Sequence, residues 1–193
     1  MAPRGRFFEA FASRPRPSAT QMLRPTVGAN GDRLRALLTT KTPEELRPPD
    51  LRSEVEGYLW MLSAEAFRYF LPAFLHAALD AYSSVSVFAS ELIGALTAPS
   101  RESVSGAIDR ISEASPEIEL PGDAAEVLRK QQLEWFDSGT PTAAFRDRFE
   151  GLTTTEGATV LEFLQAFQRA HGQDFPFDEL QIAIERYWSR FRQ

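Results

Sequence analysis

The sequence predicts an all-α fold, a single-domain irregular helical bundle of about seven to nine helices with its central helix kinked at Pro72. Three observations carry this reading. Apolar side chains recur at three-and-four spacing wherever there is a pattern at all. Helix-start signals repeat along the chain, and no two strand-like runs are bridged by a hairpin turn. With 193 residues, 43% of them hydrophobic and 25% charged, the chain has the length and apolar content for one substantial core over residues 1–193.

Taken in order, Arg6 to Ala12 reads as one short helix within a basic segment, residues 1–24. Arg14-Pro15-Arg16-Pro17 behind it must be extended, because proline disfavours the helical region for the residue before it. Residues 25–33, with Pro25, Gly28, Asn30, Gly31 and Asp32, read as a loop. Thr42-Pro43-Glu44-Glu45 has the parts of a helix start: Thr42 as cap, Pro43 in the first turn and Glu45 reaching back. Pro48-Pro49 ends that helix at once. Asp50 then caps a helix towards Trp60, with Leu51, Val55, Leu59 and Leu62 on one face.

Ser63 caps the central helix, whose stripe is Phe67, Phe70, Leu71, Phe74, Leu75, Ala78, Leu79 and Tyr82. Pro72 cannot donate a backbone hydrogen bond and its ring collides with the carbonyl of Arg68, so a kink or restart is expected there. After Ser83-Ser84 a helix runs to about Leu96 on Val85, Phe88, Leu92, Ile93 and Leu96, until Pro99 and Ser100 break it. Residues 98–122 are expected to be peripheral: a mostly polar helix with Val104, Ile108 and Ile111, then a connector with Pro116 and Pro121. Its Ile118-Glu119-Leu120 is the nearest approach to a strand. Asp123 caps a helix to roughly Phe136, ending before Asp137-Ser138-Gly139-Thr140-Pro141. Thr153-Thr154-Thr155-Glu156 is a second capping box, opening Gly157 to His171 on Val160, Leu161, Leu164 and Phe167. Gly172 stands where a left-handed cap is expected. Phe175-Pro176-Phe177 leads into the last helix, with Leu180, Ile184, Tyr187, Trp188 and Phe191 as its stripe.

Three segments resemble a bacterial family of unknown function. They are Phe8-Glu9-Ala10-Phe11 with Arg16-Pro17, then Leu62-Ser63-Ala64-Glu65-Ala66-Phe67-Arg68-Tyr69-Phe70-Leu71-Pro72-Ala73-Phe74. The third is Leu152-Thr153-Thr154-Thr155-Glu156-Gly157 running into Val160-Leu161-Glu162-Phe163-Leu164, with Tyr187-Trp188 near the end. The likeness spans most of the chain, though 98–140 carries little of it. It implies an acidic, helical single domain of this size, and no particular activity or site residue.

Absent motifs narrow the chemistry. There is no phosphate-binding glycine loop with its lysine, no Gly-x-Gly-x-x-Gly, no Gly-x-Ser-x-Gly and no His-Glu-x-x-His. With no cysteine and two distant histidines, a zinc site would lean on carboxylates, so no metal and no cofactor are expected. Glu113, Glu117, Glu119, Asp123 and Glu126 lack the spacing of a calcium loop and read as a solvated acidic face. His76 and Asp80 are one helical turn apart, as a general base and its orienting acid would be, although packing at a helix edge explains the pair more simply. His171 suits the negative end of its helix. Glu65 and Arg68 beside Tyr69 make a polar cluster, with helix-start and outward-face roles as the plainer reading. Trp60, Phe67, Tyr69, Phe70, Phe74, Tyr82 and Phe88 are core residues unless some are exposed together.

Net charge is −6, which opposes a nucleic-acid partner, but residues 1–24 are locally basic: Arg4, Arg6, Arg14, Arg16 and Arg24 against Glu9 alone. That arm would bind an acidic partner, RNA or anionic lipid, or fold back on the acidic body. No apolar run is long enough to span a membrane and no secretory signal is evident, so a cytoplasmic protein is expected. The functional expectation is a non-enzymatic partner of another protein, of accessory or immunity type, whose target offers a basic surface. The alternative is an enzyme or small-ligand-binding domain with an unfamiliar site around the kinked central helix. Glu65, Arg68, Tyr69, His76 and Asp80 are then the residues to test.

Overall fold

The computed structural model describes residues 4–25, 31–106 and 124–192. The protein is all-α: among the described residues every regular element is helical, and the single β-type pairing is an isolated antiparallel bridge between Leu23 and Leu62. The chain divides into two compact units, Met1–Thr97 with Arg148–Gln193, and Ala98–Asp147.

In the first unit, α1 (Arg4–Phe11) buries Phe7 and Phe11 and is followed by residues 14–17, which form no regular element. The expected loop at 25–33 is corrected at its end. Residues 26–30 lie outside the described set, but Gly31 already opens α2 (Gly31–Thr40), which buries Leu34 and Leu38 four residues apart. Thr42 to Glu45 forms only a short 3-10 turn, with the Glu45 carboxylate accepting from the Thr42 amide at 2.8 Å. The single helix expected from Asp50 to Trp60 is also corrected. A helical turn at Pro48–Asp50 passes into a π-helical turn at Leu51–Val55, then a bend, then a 3-10 turn at Leu59–Met61. Gly57 interrupts it with φ +78°, a conformation that excludes helix. Leu51, Val55, Leu59 and Leu62 are nonetheless all buried.

The central helix, α3 (Ala64–Asp80), starts on Ser63, whose hydroxyl accepts from the Ala66 amide at 3.0 Å. It runs through Pro72 without restarting. Interior proline costs about 3 kcal/mol, whereas full burial of each large apolar side chain returns about 1.5–3. Phe67, Phe70, Leu71, Phe74 and Leu75 are all fully buried, so packing outweighs the lost bond. Their rings form the centre of the unit. Phe67 meets Phe149 edge-on at 5.6 Å, Phe74 meets Phe88 at 5.5 Å, and Phe149 meets Trp188 at 5.1 Å. The Trp188 indole donates to the Leu96 carbonyl at 2.7 Å, so its one polar atom is satisfied inside the core.

α4 (Tyr82–Leu96) carries a break at Val85, whose φ −136° and ψ 29° are not helical. The second capping box is present as expected: α8 (Thr154–His171) starts on Thr153, which exchanges bonds with Glu156. Gly172 is not left-handed. Its φ −57° and ψ −30° continue into a 3-10 turn at Gly172–Asp174, so the chain tightens there rather than reversing. The unit closes with α9 (Glu179–Arg186) and a 3-10 turn at Trp188–Phe191. Phe191 lies over Gly157, where a Cβ would fall 2.2 Å from the ring.

In the second unit, α5 (Arg101–Ser105) packs with α6 (Ala124–Asp137). Then comes α7 (Thr140–Phe149), whose last two residues belong to the first unit; the sequence reading assigned no helix here, ending the preceding one before Asp137-Ser138-Gly139-Thr140-Pro141. Proline in a first helical turn loses no bond, and here it opens a helix. The rest of the 101–114 helix, the 115–122 connector with Ile118-Glu119-Leu120, and the acids Glu113, Glu117, Glu119 and Asp123 fall outside the described residues.

Candidate functional site

The basic arm folds back on the first unit. Arg14 donates from Nε and Nη2 to the two oxygens of Glu156, both at 2.6 Å, and from Nη2 to the Gly151 carbonyl at 2.7 Å. Glu156 is 1% exposed, and burial pushes its pKa up, but Arg14 and Thr153 outweigh burial and hold it below the usual carboxylate range. Arg6 pairs with Glu162 at 3.0 Å. Arg16 reaches the Thr39 and Lys41 carbonyls at 2.5 and 3.0 Å, capping the negative end of α2, and Arg24 donates to the Leu62 carbonyl at 3.2 Å.

The five residues singled out on the central helix do not converge as a set; they form two separate pairs, Glu65 with Arg68 and His76 with Asp80. Glu65 and Asp80 are fifteen residues apart, about 22 Å along a helix, so the set cannot close on one ligand. Glu65 is exposed and stands 3.8 Å from Arg68. Arg68, 12% exposed in its side chain, turns inward and donates to the carbonyls of Arg148 and Glu150 at 3.1 and 3.3 Å. It is a clamp on the chain leading to α8, not the outward residue expected. Tyr69 is half-buried with its ring edge-on to Phe70 at 4.9 Å, and burial raises its hydroxyl pKa despite Arg16 nearby. His76 Nδ1 lies 3.2 Å from Asp80 Oδ2, and Phe8 meets the His76 ring edge-on at 5.9 Å. This pair borders a recess of about 220 Å³ with Phe8, Leu46, Ala73 and Ala77. The other histidine, His171, stacks on Tyr82 at 4.0 Å. Among the described residues no group of three potential ligands could hold a metal ion.

A second site is one the sequence reading placed in the core. Trp60 is 55% exposed and Tyr58 38%, on the short turn after Gly57, while the other six aromatics of the 60–88 group are buried or half-buried. The turn is held by a reciprocal clasp with α4. The break at Val85 leaves amides without helical partners, and the Glu56 carboxylate accepts from the Phe88 amide at 3.2 Å, capping the restarted helix. One turn later, Glu91 accepts from the Gly57 and Leu59 amides at 2.9 and 3.0 Å. Burial raises the Glu91 pKa, the two amides oppose that rise, and Glu56 adds to it. The Trp60 indole donates to the Gly57 carbonyl at 3.1 Å, and Val87, beside Phe88, is 64% exposed. Two large aromatics are thus presented on a hydrogen-bonded turn with carboxylates at its base. The signal in the sequence was Gly57 in mid-pattern, with Trp60 opposite the Leu51, Val55, Leu59 and Leu62 stripe on a helical wheel. Compared with protein-family models, curated proteins and solved structures, the chain matches none.

Proposed function

We propose that this protein is a non-enzymatic partner of another protein, of accessory or immunity type, and that the Tyr58–Trp60 turn is its contact surface. The observation that carries this is the exposure of both rings on a turn pinned by Glu91. Tyrosine and tryptophan are enriched among the few residues that carry most of the energy at protein interfaces, and a turn already ordered loses little entropy on binding. Glu56 and Glu91 at the base, with the net charge of −6, favour a partner with a basic surface. The arginines of residues 6–24 are occupied by the chain's own carbonyls and carboxylates, which supports a protein partner over a nucleic acid. No helix among the described residues is long and apolar enough to cross a membrane, and the cytoplasm is the location we propose. Kinship with the bacterial family that the motifs resemble is proposed on the same footing.

The test is affinity capture from the native host with wild type and with a Tyr58→Ala/Trp60→Ala variant of unchanged melting temperature. A partner should be held by the first, released by added salt, and bound at least ~30-fold more weakly by the second. Equal capture by both would end the assignment of the turn.

A further inference from the structure

We propose that the recess beside His76 and Asp80 is a binding site for a primary alkylammonium group. It shares no residue with the Tyr58–Trp60 turn and stands whether or not that turn has a partner. Its size comes first: about 220 Å³ is below the roughly 300–1,000 Å³ of sites for drug-sized ligands, and suits one short chain with a single polar head. Its floor is apolar, from Phe8, Leu46, Ala73 and Ala77, and would cover an aliphatic stem of a few methylenes.

The electrostatics at the rim favour a cation. Asp80 and Glu44 both border the recess, and Asp80 is the last residue of α3. Ala77 and Ala81 lie at the same helix end, the negative end of the helix dipole, where the Ala77 carbonyl accepts from the Ala81 amide at 2.9 Å and the Ala81 carbonyl from the Ser84 amide at 2.8 Å. That last turn contains no basic residue of its own to offset Asp80. The nearest fixed cation, Arg47, also borders the recess, but its Nη1 is committed to the Glu44 and Leu46 carbonyls at 2.6 and 3.1 Å. His76, with Nδ1 3.2 Å from Asp80 Oδ2, adds a ring wall beside that carboxylate. An ammonium matches this: a charged group able to donate to both Asp80 and Glu44, on a stem that fits the floor. The same group occurs on a free alkylamine and on a lysine side chain.

The experiment is an amide and side-chain NMR titration of the full chain with n-butylammonium chloride, with n-butanol and sodium chloride as controls. Saturable shifts should appear at Leu46, Ala73, His76 and Ala77, and n-butanol should bind about tenfold more weakly for want of the charge. Asp80→Asn should weaken n-butylammonium about tenfold while leaving n-butanol unchanged, and Glu44→Gln should weaken it less. Glu44→Gln and the alcohol control keep the test decisive if Asp80→Asn does not fold. Nα-acetyl-lysine methylamide binding as well as n-butylammonium supports the site with a lysine side chain as its natural occupant. Its exclusion, with n-butylammonium still bound, supports the site with a free amine instead. Equal binding of amine and alcohol, absence of shifts at the recess, or an unaffected Asp80→Asn variant would overturn the proposal.

Discussion

Glu156→Gln should release the N-terminal arm and lower the stability of the first unit. Glu156 sits at the first turn of α8 and accepts from Arg14 Nε and Nη2 at 2.6 Å and from the Thr153 amide at 2.7 Å. A glutamine keeps the shape but turns one oxygen into a donor that faces other donors, and leaves the largely buried Arg14 without its counter-charge. Removing one partner of a buried pair costs about 3–5 kcal/mol, and the near-isosteric change places the loss at about 3. For a chain of this length that corresponds to roughly 6–12 °C in melting temperature. Urea unfolding of wild type, Glu156→Gln, Arg14→Met and the double variant gives the assay. The double variant should recover part of the loss, since no unpaired charge then remains buried. A Glu156→Gln variant within 0.5 kcal/mol of wild type, or purely additive changes in the cycle, would refute the claim that this pair fastens the arm.

The same pair makes stability acid-sensitive. The Glu156 pKa is depressed in the folded state, so its contribution is complete above the ordinary glutamate value of about 4.3 and is lost as pH falls through the depressed one. Urea midpoints from pH 6 to pH 2 should therefore fall less for Glu156→Gln than for wild type. Phe74→Ala removes the ring that touches Phe67, Phe70 and Phe88 and should cost about 3–5 kcal/mol by calorimetry; an unchanged melt would mean the ring is not central. Gly157→Ala places a methyl 2.2 Å from the Phe191 ring, so the C-terminal turn must shift, at about 1–3 kcal/mol by urea unfolding. Glu91→Gln should loosen the Tyr58–Trp60 turn, seen as about tenfold faster hydrogen exchange at Gly57 and Leu59 with little change in the overall melt.

Local signals made much of the fold readable. The helical class, the start of the central helix at Ser63, the box at Thr153–Glu156 and the burial of the Phe67–Leu75 stripe all follow from spacing and capping, which act over four residues or fewer. Where the reading failed, the signal was present but ambiguous. Leu34 and Leu38 mark α2, yet the glycines before them pointed to a loop; the Asp137–Pro141 stretch was taken as the end of a helix, and Pro141 also stands in the first turn of α7. Leu51 to Leu62 has a helical pattern, and its four apolar positions are buried, but Gly57 and a π-helical turn reach the same burial without one helix.

The sequence alone therefore determined that the Phe67–Leu75 stripe must leave water, because hydrophobic burial along one helix face depends on composition and short-range period. It also held the choice between a basic arm that binds outward and one that folds back, without deciding it. That was decided by tertiary structure, which brought Arg14 to Glu156 across 142 positions and spent the arm's charge internally. The same is true of the candidate sites. Trp60 became a surface residue because Glu91, thirty-two positions from Leu59, fixed the turn that carries it. The five polar residues of the central helix parted because a straight-chain neighbourhood of fifteen residues is about 22 Å of helix. Contacts between segments far apart in the chain have no periodic signature, so only the folded arrangement assigns them.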